Sequence, residues 1–146
     1  MNSILLSSHF ADFWGLGLSL VGGDPTIDSS GAILAFENGG FPWKDHLFTL
    51  ETELGVPDQE LKYIIFPDET AGQWRVQCIP VGPNQGFVSR LPLAEAWRGL
   101  RDEELVEQSG VDGCVFCHAS GFIGGNKTRE GALAMALATM KLEAKQ

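Results

Sequence analysis

Residues Gln73 to Cys78 alternate without a break. Trp74, Val76 and Cys78 fall on one side of an extended chain, and Gln73, Arg75 and Gln77 on the other. A period of two is that of a β-strand with one face buried and one wet. Upstream, Leu61 to Phe66 is a second run rich in β-formers, and the polar stretch Pro67 to Gly72 separates the two, which predicts a hairpin. An isolated hairpin is marginal in water, so the chain must enlarge this sheet and cover one face of it.

The rest of the sequence supplies the pieces. Ala32 to Phe36 is a short apolar strand. Pro42 suits a first helical turn, Trp43, Leu47, Leu50 and Leu54 follow at helical spacing, and Gly55 with Pro57 is a stop signal. Pro80 to Arg90 reads as loop. Pro92 opens a helical region through Trp97 and Leu100 into Asp102-Glu103-Glu104, acids that suit a helix N-terminus, and Gly110 closes it. Cys114 to His118 reads as a strand and Gly121 to Gly125 as a glycine-rich loop. Leu133, Ala136, Leu137 and Met140 mark a final amphipathic helix. The order strand–helix–strand–strand–helix–strand–helix predicts an α/β fold, with α+β as the neighbouring class, around one mixed β-sheet flanked by helices.

With 146 residues and 44% hydrophobic content, one domain with its own core is expected, without disulfides or a structural metal. Residues 24–146 carry that domain. The leader 1–23, broken by Gly15, Gly17, Gly22 and Gly23, reads as weakly ordered. Its apolar run Phe10 to Val21 carries Asp12 and is too short to span a bilayer, and no Lys or Arg precedes it, so neither a membrane anchor nor a signal peptide is expected. Three cysteines, Cys78, Cys114 and Cys117, cannot pair completely, which suits a reducing, intracellular compartment.

The net charge of −9 is uneven. Residues 1–73 hold 11 acids and 2 bases, whereas residues 74–146 hold 8 of each. An acidic chain repels phosphate at long range, so any contact with a polyanion must be local and must lie in the second half. The segment fitted to such a contact is Cys114-Val-Phe-Cys-His-Ala-Ser-Gly-Phe-Ile-Gly-Gly-Asn-Lys-Thr-Arg129. Gly121, Gly124 and Gly125 permit close approach of backbone to a ligand. The start of the following helix carries partial positive charge, Lys127 and Arg129 add full charges, and Ser120, Asn126 and Thr128 add donors. His118 stands beside the loop. The alternative is a tight turn in which the glycines only permit packing.

Several other readings fail on the residues. Gly121 to Thr128 approaches the phosphate-loop pattern but has Asn126 in place of its second fixed glycine, and no later strand supplies an Asp for magnesium. Cys114-Val-Phe-Cys117-His118 matches the c-type haem pattern. In a regular strand, however, its cysteines face opposite ways, so no haem is expected. Zinc fails for want of a second ligand pair. His46 reads as a surface residue and His9 lies in the leader. Arg98 and Arg101 read as partners of Glu95, Asp102 or Glu104. Trp43, Trp74 and Trp97 read as core aromatics.

Gly31 to Leu137 closely resembles the C-terminal half of the MYG-type exonuclease family (melanocyte proliferating gene, also known as metal-dependent protein hydrolases), and weaker likeness extends over about residues 24–146. The matching stretches are Phe41-Pro-Trp-Lys-Asp-His-Leu47, Gly72-Gln-Trp-Arg-Val-Gln77, Ser89-Arg-Leu-Pro92, Trp97-Arg-Gly-Leu-Arg-Asp-Glu103 and His118-Ala-Ser-Gly-Phe-Ile-Gly-Gly-Asn-Lys-Thr-Arg-Glu-Gly-Ala132. That family resembles a branch of the DHH phosphoesterases, in which a metal-binding domain and a C-terminal substrate domain enclose the cleft. The resemblance implies phosphodiester hydrolysis from the 3' end of RNA, manganese or magnesium as cofactor, and mitochondrial and nuclear location. It also implies that His118, Ser120, Gly121, Gly124, Gly125, Asn126, Lys127 and Arg129 hold substrate phosphate or a terminal nucleotide, with Thr128 beside them.

The family's metal ligands lie in Asp-His-His and His-x-Asp motifs, and this sequence contains neither. The chain by itself is therefore expected to hold no metal, to carry no catalytic residue and to bind without cutting. Its expected partners are RNA or nucleotide phosphate and a DHH-type metal domain, in cis or in trans. The alternative is a non-catalytic interaction module, or truncated product, that docks on a separate domain.

Overall fold

In the computed structural model the described residues are 25–27, 32–36, 47–49, 52, 61–68, 72–82 and 88–144. They form a six-stranded sheet in the order β1-β2-β3-β4-β6-β5. The expected hairpin is present as β3 (Tyr63–Asp68) paired antiparallel with β4 (Gln73–Cys78). β2 (Ile33–Phe36) runs parallel to β3, and β1 (Pro25–Ile27) lies antiparallel outside it. β6 (Ile123–Asn126) sits between β4 and β5 (Cys114–Cys117), antiparallel to both. One parallel pair among antiparallel ones makes the sheet mixed, and the fold is α/β. β1 falls where sequence reasoning sees only the punctuation of Asp24-Pro25. Proline at the first position of an edge strand costs no ladder bond.

α1 (Asp102–Ser109) lies between β4 and β5 in the chain, and α2 (Arg129–Ala144) follows β6. Gly110 ends α1 in the left-handed region at φ 73°, the usual helix stop. The helical region expected from Pro92 to Gly110 divides into one 3-10 turn, Glu95–Trp97, and α1. Residues 47–49 are helical, and Leu47 is fully buried. Thr52 is helical too, and its Oγ1 donates to the Phe48 carbonyl at 3.1 Å; the other residues of that expected helix, with Trp43 and His46, lie outside the described residues, as does the leader with His9. No helix among the described residues is long and apolar enough to cross a membrane.

Pairing fixes which side chains share a face. Tyr63 and Ile65 of β3, Val76 and Cys78 of β4, Gly124 and Asn126 of β6, and Cys114 and Cys117 of β5 lie on one side. α2 covers this side, with Ala132, Met135 and Ala136 in the same buried cluster as Leu93, Trp97 and Leu105. Trp97 is core, as expected, and Trp74 packs half-buried against it. A β-bulge between Cys114 and Phe116 corrects one expectation. The extra residue brings Cys114 and Cys117 onto the same face, where strict alternation would have opposed them. Both are buried in the core, with Cys78.

Candidate functional site

The glycines define what this region can do. Gly124 and Gly125 are not in a loop: they are interior residues of β6, buried and flanked by partner strands on both sides. A β-carbon on Gly124 would lie 2.9 Å from Leu93 Cδ1 and 3.1 Å from Met135 Cε. On Gly125, facing the other way, it would lie 2.7 Å from both Arg75 Nη1 and Phe116 Cε1. The two glycines therefore serve close packing of the sheet, and their peptide groups belong to its ladders. The expectation that they form a ligand cradle is corrected on that ground.

Asn126 is likewise committed inward. It is fully buried. Its Nδ2 donates to the Asp112 carbonyl at 2.9 Å, and its Oδ1 accepts the Thr128 N–H at 3.0 Å. Thr128 Oγ1 in turn accepts the Gly131 N–H at 2.9 Å, which makes it the N-cap of α2. The Lys127 N–H is bonded to the Gly113 carbonyl, and the Ala132 N–H to the Thr128 carbonyl. These bonds lock the β6–α2 corner. They leave the side chains of Lys127 and Thr128 in solvent, with Arg129 half-buried beside them.

His118, Ser120 and Gly121 stand at the opposite end of β6. The Gly121 N–H bonds the His118 carbonyl and closes a turn. His118 Nδ1 accepts the Ser120 N–H at 3.1 Å and lies 3.0 Å from Ser120 Oγ. A backbone N–H can only donate, so Nδ1 is the acceptor nitrogen and the neutral ring carries its proton on Nε2. The imidazole meets the Phe122 ring edge-on at 4.7 Å, and His118 and Ser120 are exposed. Gly121 has φ 76°, and a β-carbon there would lie 2.7 Å from Arg98 Nε, which donates to the Leu93 carbonyl. The four-residue strand β6, about 13 Å long, separates this group from Lys127. Seven of the nine sequence-predicted residues thus fall into two groups at opposite ends of β6, with Gly124 and Gly125 inside it. They do not form one cradle.

The expected helix-face partners of Arg98 and Arg101 are also absent. Between described residues the ion pair present is Arg75 with Asp68 at 2.9 Å. Arg75 also donates to Gln73 Oε1 at 2.8 Å, and its guanidinium lies over the Phe116 ring, 5.0 Å from the centroid. Sequence reasoning placed Arg75 correctly on the polar side of β4 but gave it no role. The missing signal was Gly125, directly opposite Arg75 in the register.

Burial raises all three thiols: Cys78 is pushed up to about 12 and Cys117 to about 11. Cys114 is raised for the same reason. Neutral buried thiols are neither nucleophiles nor metal ligands at neutral pH. Among the described residues no group of three or more His, Cys, Asp or Glu could hold a metal ion. Asp68 is tied to Arg75 and His118 to Ser120. The donor set here does not fit a catalytic Mn or Mg centre.

Comparison with known proteins bears on the same residues. A family model described as an uncharacterised protein family (UPF0160), under the name MYG1_exonuc, matches residues 20–140. The rat protein named MYG1 exonuclease is 59% identical over 114 residues, which cover 78% of this chain and 29% of its own. The human MYG1 exonuclease is 55% identical over 114 residues, covering 78% and 30%. A Caenorhabditis elegans MYG1 protein is 53% identical over 116 residues, covering 80% and 34%. The chain spans about a third of the length of the curated relatives it matches. No solved structure gave a significant match.

Proposed function

The chain belongs to the MYG1 exonuclease family, UPF0160, and from that premise we propose that it is the substrate-binding part of a metal-dependent 3'-5' RNA exonuclease. Relatives that carry the name exonuclease support a nuclease-type family. The observation that carries the rest is the β6–α2 corner. There a buried Asn126 bonds two flanking segments and so presents Lys127 and Thr128 outward, at the positive end of a 16-residue helix. A terminal phosphate of the substrate docks at this corner. Lys127 supplies a point charge, Thr128 holds the helix end in place through its bonds to Asn126 and Gly131, and Arg129 reinforces the field.

In this reading the chemistry comes from a DHH-type metal domain, in cis or in trans, that loads manganese or magnesium. The bound ion there would polarise the phosphodiester and activate water. This chain contributes position only: it fixes the phosphate so that the scissile bond meets the other domain. His118 and Ser120, at the far end of the four-residue strand β6, contact a more remote part of the substrate or none. The same reading places the protein in mitochondrion and nucleus, which imaging of the tagged protein tests.

The test of function is direct. The purified 146-residue chain, incubated with end-labelled RNA and manganese, leaves the RNA intact while binding it weakly. Manganese-dependent shortening that Lys127→Ala abolishes would overturn the binding-only assignment.

A further inference from the structure

A cleft of about 570 Å³ lies at the other end of α2 from Lys127. That volume suits a small-molecule site. One wall comes from the 3-10 turn and its flanks, and the other from Thr139, Leu142 and Glu143 in the last turns of α2. Three charged side chains line it, Arg98, Glu95 and Glu143, and they share the space without pairing. Arg98 spends Nε on the Leu93 carbonyl at 3.0 Å, which fixes the arm. Its two terminal nitrogens have no hydrogen-bond or ion-pair partner among the described residues. Glu95 and Glu143 are exposed and likewise unpaired. Opposite charges that line one cleft and stay apart suit a ligand that carries both signs.

The two walls differ in kind. Arg98 offers donors only. The α2 wall offers acceptors. Glu143 presents a carboxylate. Thr139 is buried, and its Oγ1 gives its proton to the Met135 carbonyl at 3.0 Å, so toward any other group it can only accept. The fully buried Tyr63 hydroxyl lies beside Thr139 yet makes no hydrogen bond, which leaves that acceptor available. The C-terminal end of α2 adds its negative pole on the same side. A ligand must therefore show acceptors to Arg98 and a positively charged donor to α2. The remaining lining is apolar, with Ala94, Ala96 and Leu142, and Leu142 is 45% exposed.

We propose that this cleft binds a free α-amino acid with an apolar side chain. The Arg98 guanidinium takes its carboxylate, Glu143 and Thr139 Oγ1 take its ammonium group, and Ala94, Ala96 and Leu142 receive its side chain. None of these residues belongs to the Lys127 corner, so the site stands apart from the reading given above for phosphate.

The experiment titrates leucine, methionine and phenylalanine into the whole isotope-labelled chain and follows amide chemical shifts. At least one of them gives saturable shifts at millimolar concentration, concentrated on residues 94–98 and 139–143. The N-acetyl form of the tightest binder lacks the ammonium group, and its amide lacks the carboxylate. Each of these binds at least about tenfold more weakly. Arg98→Gln abolishes the shifts, and Glu143→Gln weakens binding about tenfold. Glu143 is exposed near a helix end, so its variant keeps the test open if the Arg98 variant fails to fold. Equal binding of the N-acetyl form would leave only an anion site, and equal binding of the amide only a cation site; either result overturns the proposal. So does the absence of a saturable shift with all three amino acids.

Discussion

Asn126 and Gly131 are fitted to each other: the Asn126 side-chain amide fills the space that a β-carbon on Gly131 would need. The contact joins the end of β6 to the first turn of α2. It explains why a glycine, poor in a helix, stands at the third position of this one.

Replacing Gly131 by Ala therefore destabilises the fold by about 1–3 kcal/mol through overpacking. Helix propensity alone would give a gain of about 1 kcal/mol. Asn126→Ala costs about 2–4 kcal/mol, because it strips partners from the Asp112 carbonyl and the Thr128 N–H. In the double variant the cost of Gly131→Ala disappears, since the clashing amide is gone. Urea unfolding followed by tryptophan fluorescence measures all three, with the m-value unchanged.

Gly124→Ala lowers stability by about 1–3 kcal/mol. The added methyl meets Leu93 and Met135 at about 3 Å. It leaves binding of inorganic phosphate unaltered, because the Gly124 peptide belongs to the sheet. Phosphate titration of the folded variant by calorimetry checks this, and a selective loss of binding would restore the glycine-cradle idea.

The thiols give a pH dependence of defined sign. Cys78 and Cys117 lie above the usual thiol value of 9.0, near 12 and 11, because burial disfavours their thiolates. Between those limits the unfolded chain has lost protons that the folded chain keeps, so stability falls as pH rises. The contribution is fully present below about pH 8 and is lost progressively above 9. Chemical denaturation at pH 7, 9 and 10 measures it. Iodoacetamide should label none of the three cysteines in the native chain at pH 8, and all three in urea.

Much of this fold is legible in the sequence. β4 occupies the residues that its alternation marks, and α1 ends at the expected glycine. β3 lies two residues downstream of the run that marks it: the Leu61 carbonyl accepts from Arg90 Nη1, and the Lys62 N–H donates to the Ala32 carbonyl. β6 was unreadable for a physical reason. Ile123-Gly-Gly-Asn126 has the composition of a turn, yet its glycines are selected by neighbours 30 to 50 residues earlier, at Arg75 and Leu93, and by Phe116 and Met135 nearby. Read as a loop, the segment brings its two ends together and puts His118 and Lys127, close in sequence, at a single site; the strand holds them apart. The bulge at Val115 was hidden for a similar reason: no local residue type announces it.

Salt dependence tests the role of Lys127 as a phosphate contact. Binding of a single-stranded RNA weakens with salt, and Lys127→Ala reduces the slope of log K against log salt by about 0.7. Thr128→Val leaves the slope intact, because the hydroxyl is neutral, and lowers stability by about 1 kcal/mol through loss of the helix cap, which urea unfolding measures. A slope unchanged by Lys127→Ala would remove the lysine from the interface.

The most direct measurement is a phosphate titration of the isotope-labelled 146-residue chain, followed by amide chemical shifts. The account predicts saturable shifts concentrated on Lys127, Thr128 and Arg129, with His118, Ser120 and Gly121 unmoved. Shifts centred on His118 to Gly121 instead, or no saturable shift at all, would contradict it.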